Sequence, residues 1–154
     1  MAYLATLVWV VAIGTMATAA MTAKSGASLA CYSWPSCDGR FLPGLDDPQV
    51  LIHFIHRKLA LTTGLGVLSL YLFARWIGHE SLRSLAKFAS FLIVAQVGLG
   101  ALVILLEMPQ WTQIAHQALG VFLFAILSGL MWNSWLGSSR DEVEIGTDIL
   151  LETR

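Results

Sequence analysis

Three histidines, an arginine, a glutamate and a cysteine pair carry most of the chemistry open to this 154-residue sequence. His53 and His56 lie three residues apart, so on a helix they share a face. His116 sits in a second long apolar stretch. Ionisable side chains are rare in such stretches and tend to mark a function. Arg57 follows His56 directly, and Glu107 closes another apolar stretch. Cys31 and Cys37, with five residues between them, bracket Trp34-Pro35. The fourth histidine, His79, stands beside Glu80 in a short polar segment and reads as a solvated surface residue.

The elements that must position these groups are set by composition. The chain is 56% hydrophobic and only 12% charged, against about 25% charged for a soluble domain. Its net charge of −1 leaves no basic footprint for nucleic acid. Two cysteines are too few for a disulfide scaffold or a cysteine-rich zinc site. A membrane-spanning helix needs roughly 20 mostly apolar residues. Residues 1–23 carry no charge, and further spans are expected from about Val50 to Trp76, Ser84 to Glu107 and Trp111 to Leu136. Ala17-Thr18-Ala19 resembles a cleavage site, but no basic segment precedes it, so the first span is expected to be retained.

Short turns after the second and third spans make neighbours antiparallel. The expectation is an all-α membrane protein with four transmembrane helices in an up-down-up-down bundle. Residues 1–136 form the domain, with an outer loop over 24–49 rich in Gly and Pro, and 137–154 form an acidic, solvated cytoplasmic tail. Arg75, Arg83, Lys87 and Arg140 flank one side and mark it as cytoplasmic, which puts both termini there and the cysteine loop outside. Trp34 and Trp111 then lie at the outer interface, and Trp76, Trp132 and Trp135 at the inner one.

In such a bundle His56 and His116 lie at matching depth, roughly 6–9 Å below the outer ends of their helices. The second and fourth helices are diagonal, about 13 Å apart. Two imidazoles facing across that gap suit an iron porphyrin with two axial histidines. Ala60, Gly64 and Gly120 would let the ring edge approach the backbone. Other readings stay open. The histidines would serve as packing groups, or all three would hold a catalytic zinc. Arg57 either snorkels to the headgroups or meets a buried carboxylate such as a porphyrin propionate. Glu107 is interfacial or functional. Gln96 with Gly100 reads as interhelical packing with a hydrogen bond. The cysteines form a structural disulfide, or a dithiol that exchanges electrons as in a thiol–quinone oxidoreductase.

The run from Thr22 to Gly39, TAKSGASLACYSWPSCDG, resembles the first outer loop of heme A synthases. His56-Arg57 resembles the His-Arg motif of their second helix. QVGLGA from Gln96 to Ala101, followed by Pro109, Trp111, His116 and Gln117, resembles their third and fourth helices. The similarity runs over about residues 10–135. It implies oxidation of a methyl group of heme O to the formyl group of heme A in a prokaryotic cell membrane, in the service of a terminal oxidase. It also implies a heme of b, o or a type held by His56 and His116, with Arg57 contributing to the cofactor site and Cys31 paired with Cys37. Heme O synthase and a terminal oxidase are the implied partners. Full-length members have two similar four-helix halves, and this sequence has one, so self-association is expected, most simply as a dimer. The family's catalytic half carries a glutamate where His53 stands here. His53 and Glu107 are therefore the candidate catalytic residues. The alternative is a b-type cytochrome or heme carrier that binds heme unchanged.

Overall fold

The computed structural model describes residues 1–44 and 46–152, with side chains described up to residue 137. Four helices carry the chain: α1 Ala2–Lys24, α2 Pro48–Trp76, α3 Glu80–Leu105 and α4 Gln110–Glu152. All four are long and apolar enough to cross a membrane, α4 over Gln110–Gly137. The helices of this multi-pass membrane protein begin and end within a few residues of the expected limits. The backbone of α4 runs on to Glu152, where a polar tail was expected. The acidic side chains of that tail lie outside the described residues.

Local sequence explains the boundaries. Asp47 caps α2, its carboxylate accepting from the Gln49 N–H at 2.8 Å, and Pro48 occupies the first turn, where no N–H is needed. Gly78 turns the chain in a left-handed conformation (φ 72°) between α2 and α3. His79 caps α3 through its ring Nδ1, which accepts from the Leu82 N–H at 3.4 Å. This ring is exposed, as expected, but it has a structural task that the sequence reading did not give it. The α3–α4 turn is tighter: Glu107 and Met108 both take positive φ (58° and 63°). Gln113 Nε2 secures it by donating to the Met108 carbonyl at 2.6 Å.

Contacts run in opposite directions along each neighbouring pair, which makes the bundle antiparallel. On α1 and α2, Val8 meets Gly66 while Thr15 meets Thr63 and Thr18 meets His56. On α3 and α4, Phe88 meets Phe122 and Gln96 meets His116. On α1 and α4, Thr6 bonds Trp135 and Trp9 bonds Ser128. Each helix packs on its sequence neighbours, and α1 against α4 closes the ring, so α2 and α4 stand on a diagonal. The α1–α2 approach is close: a Cβ at Gly66 would come within 2.7 Å of Val8.

The apolar core is not spread evenly along the bundle. Its buried members are Ala5, Val8 and Ala12 of α1, Val67, Leu70 and Ala74 of α2, four residues of α3 from Leu82 to Leu92, and Leu123, Leu127 and Leu130 of α4. All belong to the end away from the cysteine loop. The other end presents Thr15, Thr18, Thr63, Gln96 and the histidines to its interior. The threonine hydroxyls bond carbonyls of their own helices, as with Thr15 to Val11 and Thr63 to Leu59.

Candidate functional site

The polar end of the bundle is where the site is built. His56 projects from α2 towards α1, and its Nδ1 lies 3.2 Å from the Thr15 carbonyl oxygen. A carbonyl only accepts, so Nδ1 carries the hydrogen and Nε2 keeps its lone pair. His116 repeats this at the opposite corner of the same diagonal: its Nδ1 donates to the Gln96 carbonyl of α3 at 3.2 Å. Each imidazole is thus oriented by a main-chain carbonyl of the preceding helix. Both rings are half-buried and lie within electrostatic reach of each other.

Gln96 brackets His116. Its amide nitrogen donates to the His116 carbonyl at 3.0 Å and lies 3.4 Å from the ring Nε2. Its Oε1 is buried without a hydrogen-bond partner. The small residues around the rings have other uses than expected. A Cβ at Gly120 would meet Gln96 Nε2 at 3.0 Å, and one at Gly64 would meet Ile93. Gly120 makes room for Gln96, and Gly64 faces α3. The glycine against an imidazole is Gly100, where a Cβ would lie 3.1 Å from His116 Cε1.

Arg57 does not extend to the headgroups. It turns back into the outer loop, where Nη1 donates to the Ser33 and Ser36 carbonyls at 2.8 Å each and Nη2 to the Cys31 carbonyl at 2.9 Å. These three acceptors lie on the ring closed by the Cys31–Cys37 disulfide. Both cysteines are buried, at 0% and 3% exposure, so their sulfurs are shielded from an exchanging thiol. Arg57 thereby fastens the disulfide loop to the helix that carries His56. Its Nε is buried and has no hydrogen-bond partner among the described residues.

His53, 4% exposed, points elsewhere. Its Nδ1 donates to the Ala27 carbonyl at 2.8 Å, in the single 3-10 turn that opens the outer loop. It shares a helix face with His56 yet is committed to the loop. Among the described residues no three His, Cys, Asp or Glu side chains group to hold a metal ion, which removes the three-histidine zinc reading. Glu107 is exposed on the α3–α4 turn, and no hydrogen bond or ion pair joins it to the histidines among the described residues.

Two signals were beyond sequence reasoning. The orienting groups of His56 and His116 are main-chain carbonyls, which every residue has, so no side-chain pattern announces them. The Arg57 acceptors are also main-chain, and only the folded loop gathers them.

The chain resembles known proteins. A family model described as cytochrome oxidase assembly protein, COX15-CtaA, matches residues 1–128. The chain is similar to a heme A synthase of Symbiobacterium thermophilum, 38% identical over 108 residues, covering 70% of this chain and 35% of that protein. It is similar to a heme A synthase of Lysinibacillus sphaericus, 29% identical over 143 residues, covering 87% of this chain and 46% of the relative. A protoheme IX farnesyltransferase of Thermus thermophilus is 30% identical over 140 residues, which cover 82% of this chain and 22% of that protein. The chain spans about a third to a half of the length of the heme A synthases it matches. No solved structure matches it.

Proposed function

The chain belongs to the COX15-CtaA family of cytochrome oxidase assembly proteins, to which the heme A synthases belong, and from that premise we propose that it binds heme between His56 and His116 and oxidises a methyl group of heme O to the formyl group of heme A. One observation carries the reading. Two histidines on diagonal helices are each held by an Nδ1–H bond to a neighbouring main chain, in the half of the bundle beyond the main apolar cluster. That anchoring is what metal-ligating histidines use to fix tautomer and ring orientation, and it directs both lone pairs to Nε2, where iron would replace the Gln96 amide beside His116. The orphaned Nε–H of Arg57 fits a group that brings a carboxylate, such as a heme propionate. The residues present therefore fit a heme.

When bound, heme iron supplies the oxidation chemistry. The protein's own part is to orient, shield and assist. Thr15 and Gln96 set the two imidazoles through their carbonyls. Gly100 keeps the space beside His116 clear. Arg57 and the disulfide close the outer loop over the site. His53, whose ring is fixed by Ala27, keeps an Nε2 lone pair as a proton acceptor. Glu107 is the carboxylate on the outer turn that would serve as a second proton-accepting group. The oxidant and the electron donor come from outside the chain, and heme O synthase or a terminal oxidase is the partner for heme delivery. The single half works as a dimer, with termini on the cytoplasmic side of a prokaryotic cell membrane.

A second reading, a b-type cytochrome or heme carrier, draws on His53. A histidine committed to the loop stands where the family's catalytic half has glutamate. One experiment separates the two. The full chain is co-expressed with heme O synthesis, and its heme is extracted and identified by chromatography. Heme A that disappears in His56→Ala and His116→Ala supports the synthase. Heme b or o alone supports the carrier, and absence of heme overturns both.

A further inference from the structure

At the end of the bundle opposite the disulfide loop, α2 and α3 flank an open cleft of about 450 Å³ lined by Tyr71, Arg75, Glu80, Arg83, Ser84 and Lys87. We propose that this cleft binds a phosphate-bearing anion, and that its source is the headgroup of an anionic phospholipid. The reasoning is independent of the heme site.

Helical spacing aims these groups at one place. Tyr71 and Arg75 are four apart on α2, and Arg83 and Lys87 are four apart on α3, so each pair shares a face. Glu80 pairs with Arg83 at 2.7 Å, which holds that guanidinium at the rim. Arg75 and Lys87 have no ion-pair partner among the described residues. Three cations against one carboxylate leave the lining at +2. Guanidinium offers a planar fork to phosphate oxygens, and Lys adds a mobile point charge. Tyr71 and Ser84 supply hydroxyl donors.

The depth suits a headgroup. Arg75 is one residue from the end of α2, and Lys87 lies about 10 Å along α3 from its start. These are the ends of two membrane-capable helices, where the polar interface begins. Lys87 reaches that level by extending its stem. Deeper along the same faces the surface becomes apolar: Leu68 lies three residues before Tyr71, and Phe91 four after Lys87, both exposed. A molecule with a phosphate at one end and a hydrocarbon chain below it matches both parts. Free phosphate matches only the upper part.

The test uses native mass spectrometry of the purified full chain in detergent. It is titrated with phosphatidylglycerol, with phosphatidylcholine, and with phosphatidylglycerol in excess inorganic phosphate. The expected result is one retained phosphatidylglycerol, weak retention of phosphatidylcholine and little displacement by inorganic phosphate. Each cation near an anionic surface is worth roughly fivefold in affinity. The Arg75→Gln/Lys87→Gln variant should therefore bind phosphatidylglycerol about 25-fold more weakly. Lys87→Gln alone, at an exposed and unpaired position, should lose about fivefold and guards against a fold defect in the double variant. Equal retention of the two lipids, or unchanged binding in both variants, overturns the proposal. Full displacement by inorganic phosphate overturns the lipid source.

Discussion

At His56 and His116 the decisive property is which ring nitrogen carries the hydrogen. Because Thr15 and Gln96 offer carbonyls to Nδ1, the lone pair is directed to Nε2 on both rings. Gly100 keeps the His116 ring in place by having no side chain. Gly100→Val should therefore reduce heme content sharply while far-ultraviolet circular dichroism stays unchanged, since a Cβ there would sit 3.1 Å from the ring. Arg57 is a residue of geometry as much as of charge. Arg57→Lys keeps the charge, but one ammonium cannot serve carbonyls at Cys31, Ser33 and Ser36 together. The variant should show faster proteolytic cleavage between residues 31 and 44 in limited digestion. His56 and His116 stood out as candidates at this scale, because a histidine in an apolar helix is conspicuous. The second role of Arg57 did not, since its partners are main-chain atoms gathered by a loop.

Among the elements, the outer loop and the start of α2 behave as one piece. The disulfide closes a small ring, Arg57 holds that ring, and His53 holds the turn before it. Cys31→Ser with Cys37→Ser should lower stability by about 2 kcal/mol from chain entropy alone. It should also loosen the heme, read as a lowered midpoint in thermal melts followed by heme absorbance. Asp47→Ala should cost about 1 kcal/mol through the lost cap of α2. The helices themselves were easy to place, because lipid demands about 20 apolar residues in a row and the charges stand at their ends. Their capping was less visible. His79 looked like a surface histidine because its partner is the Leu82 N–H of the following turn.

For the whole molecule, the ring of four antiparallel helices was expected from the short connections and is found. The uneven core was not expected, since hydropathy averaged over a span is blind to which half of a helix faces the interior. The chain spans about a third to a half of the length of its heme A synthase relatives, and the proposed dimer is tested by mass. Light scattering of the detergent-solubilised protein, corrected for bound detergent, should give twice the 16.8 kDa chain mass. A monomeric mass with full heme A formation would remove the dimer from the proposal.

The lopsided core also determines where the bundle yields. Interdigitated leucine, valine and alanine side chains make the loop-distal end stiff, while the histidine end is braced by scattered polar bonds that a guest molecule can replace. Mechanical compliance is thus graded along the membrane normal. For the proposed function, admission of a flat hydrophobic guest would be a local parting of helix tips that leaves the far end closed. Amide hydrogen exchange would register this as a gradient, fast around residues 15–22, 50–60 and 96–116 and slow around residues 67–74 and 82–92. Loading with heme would level the gradient from the fast end alone.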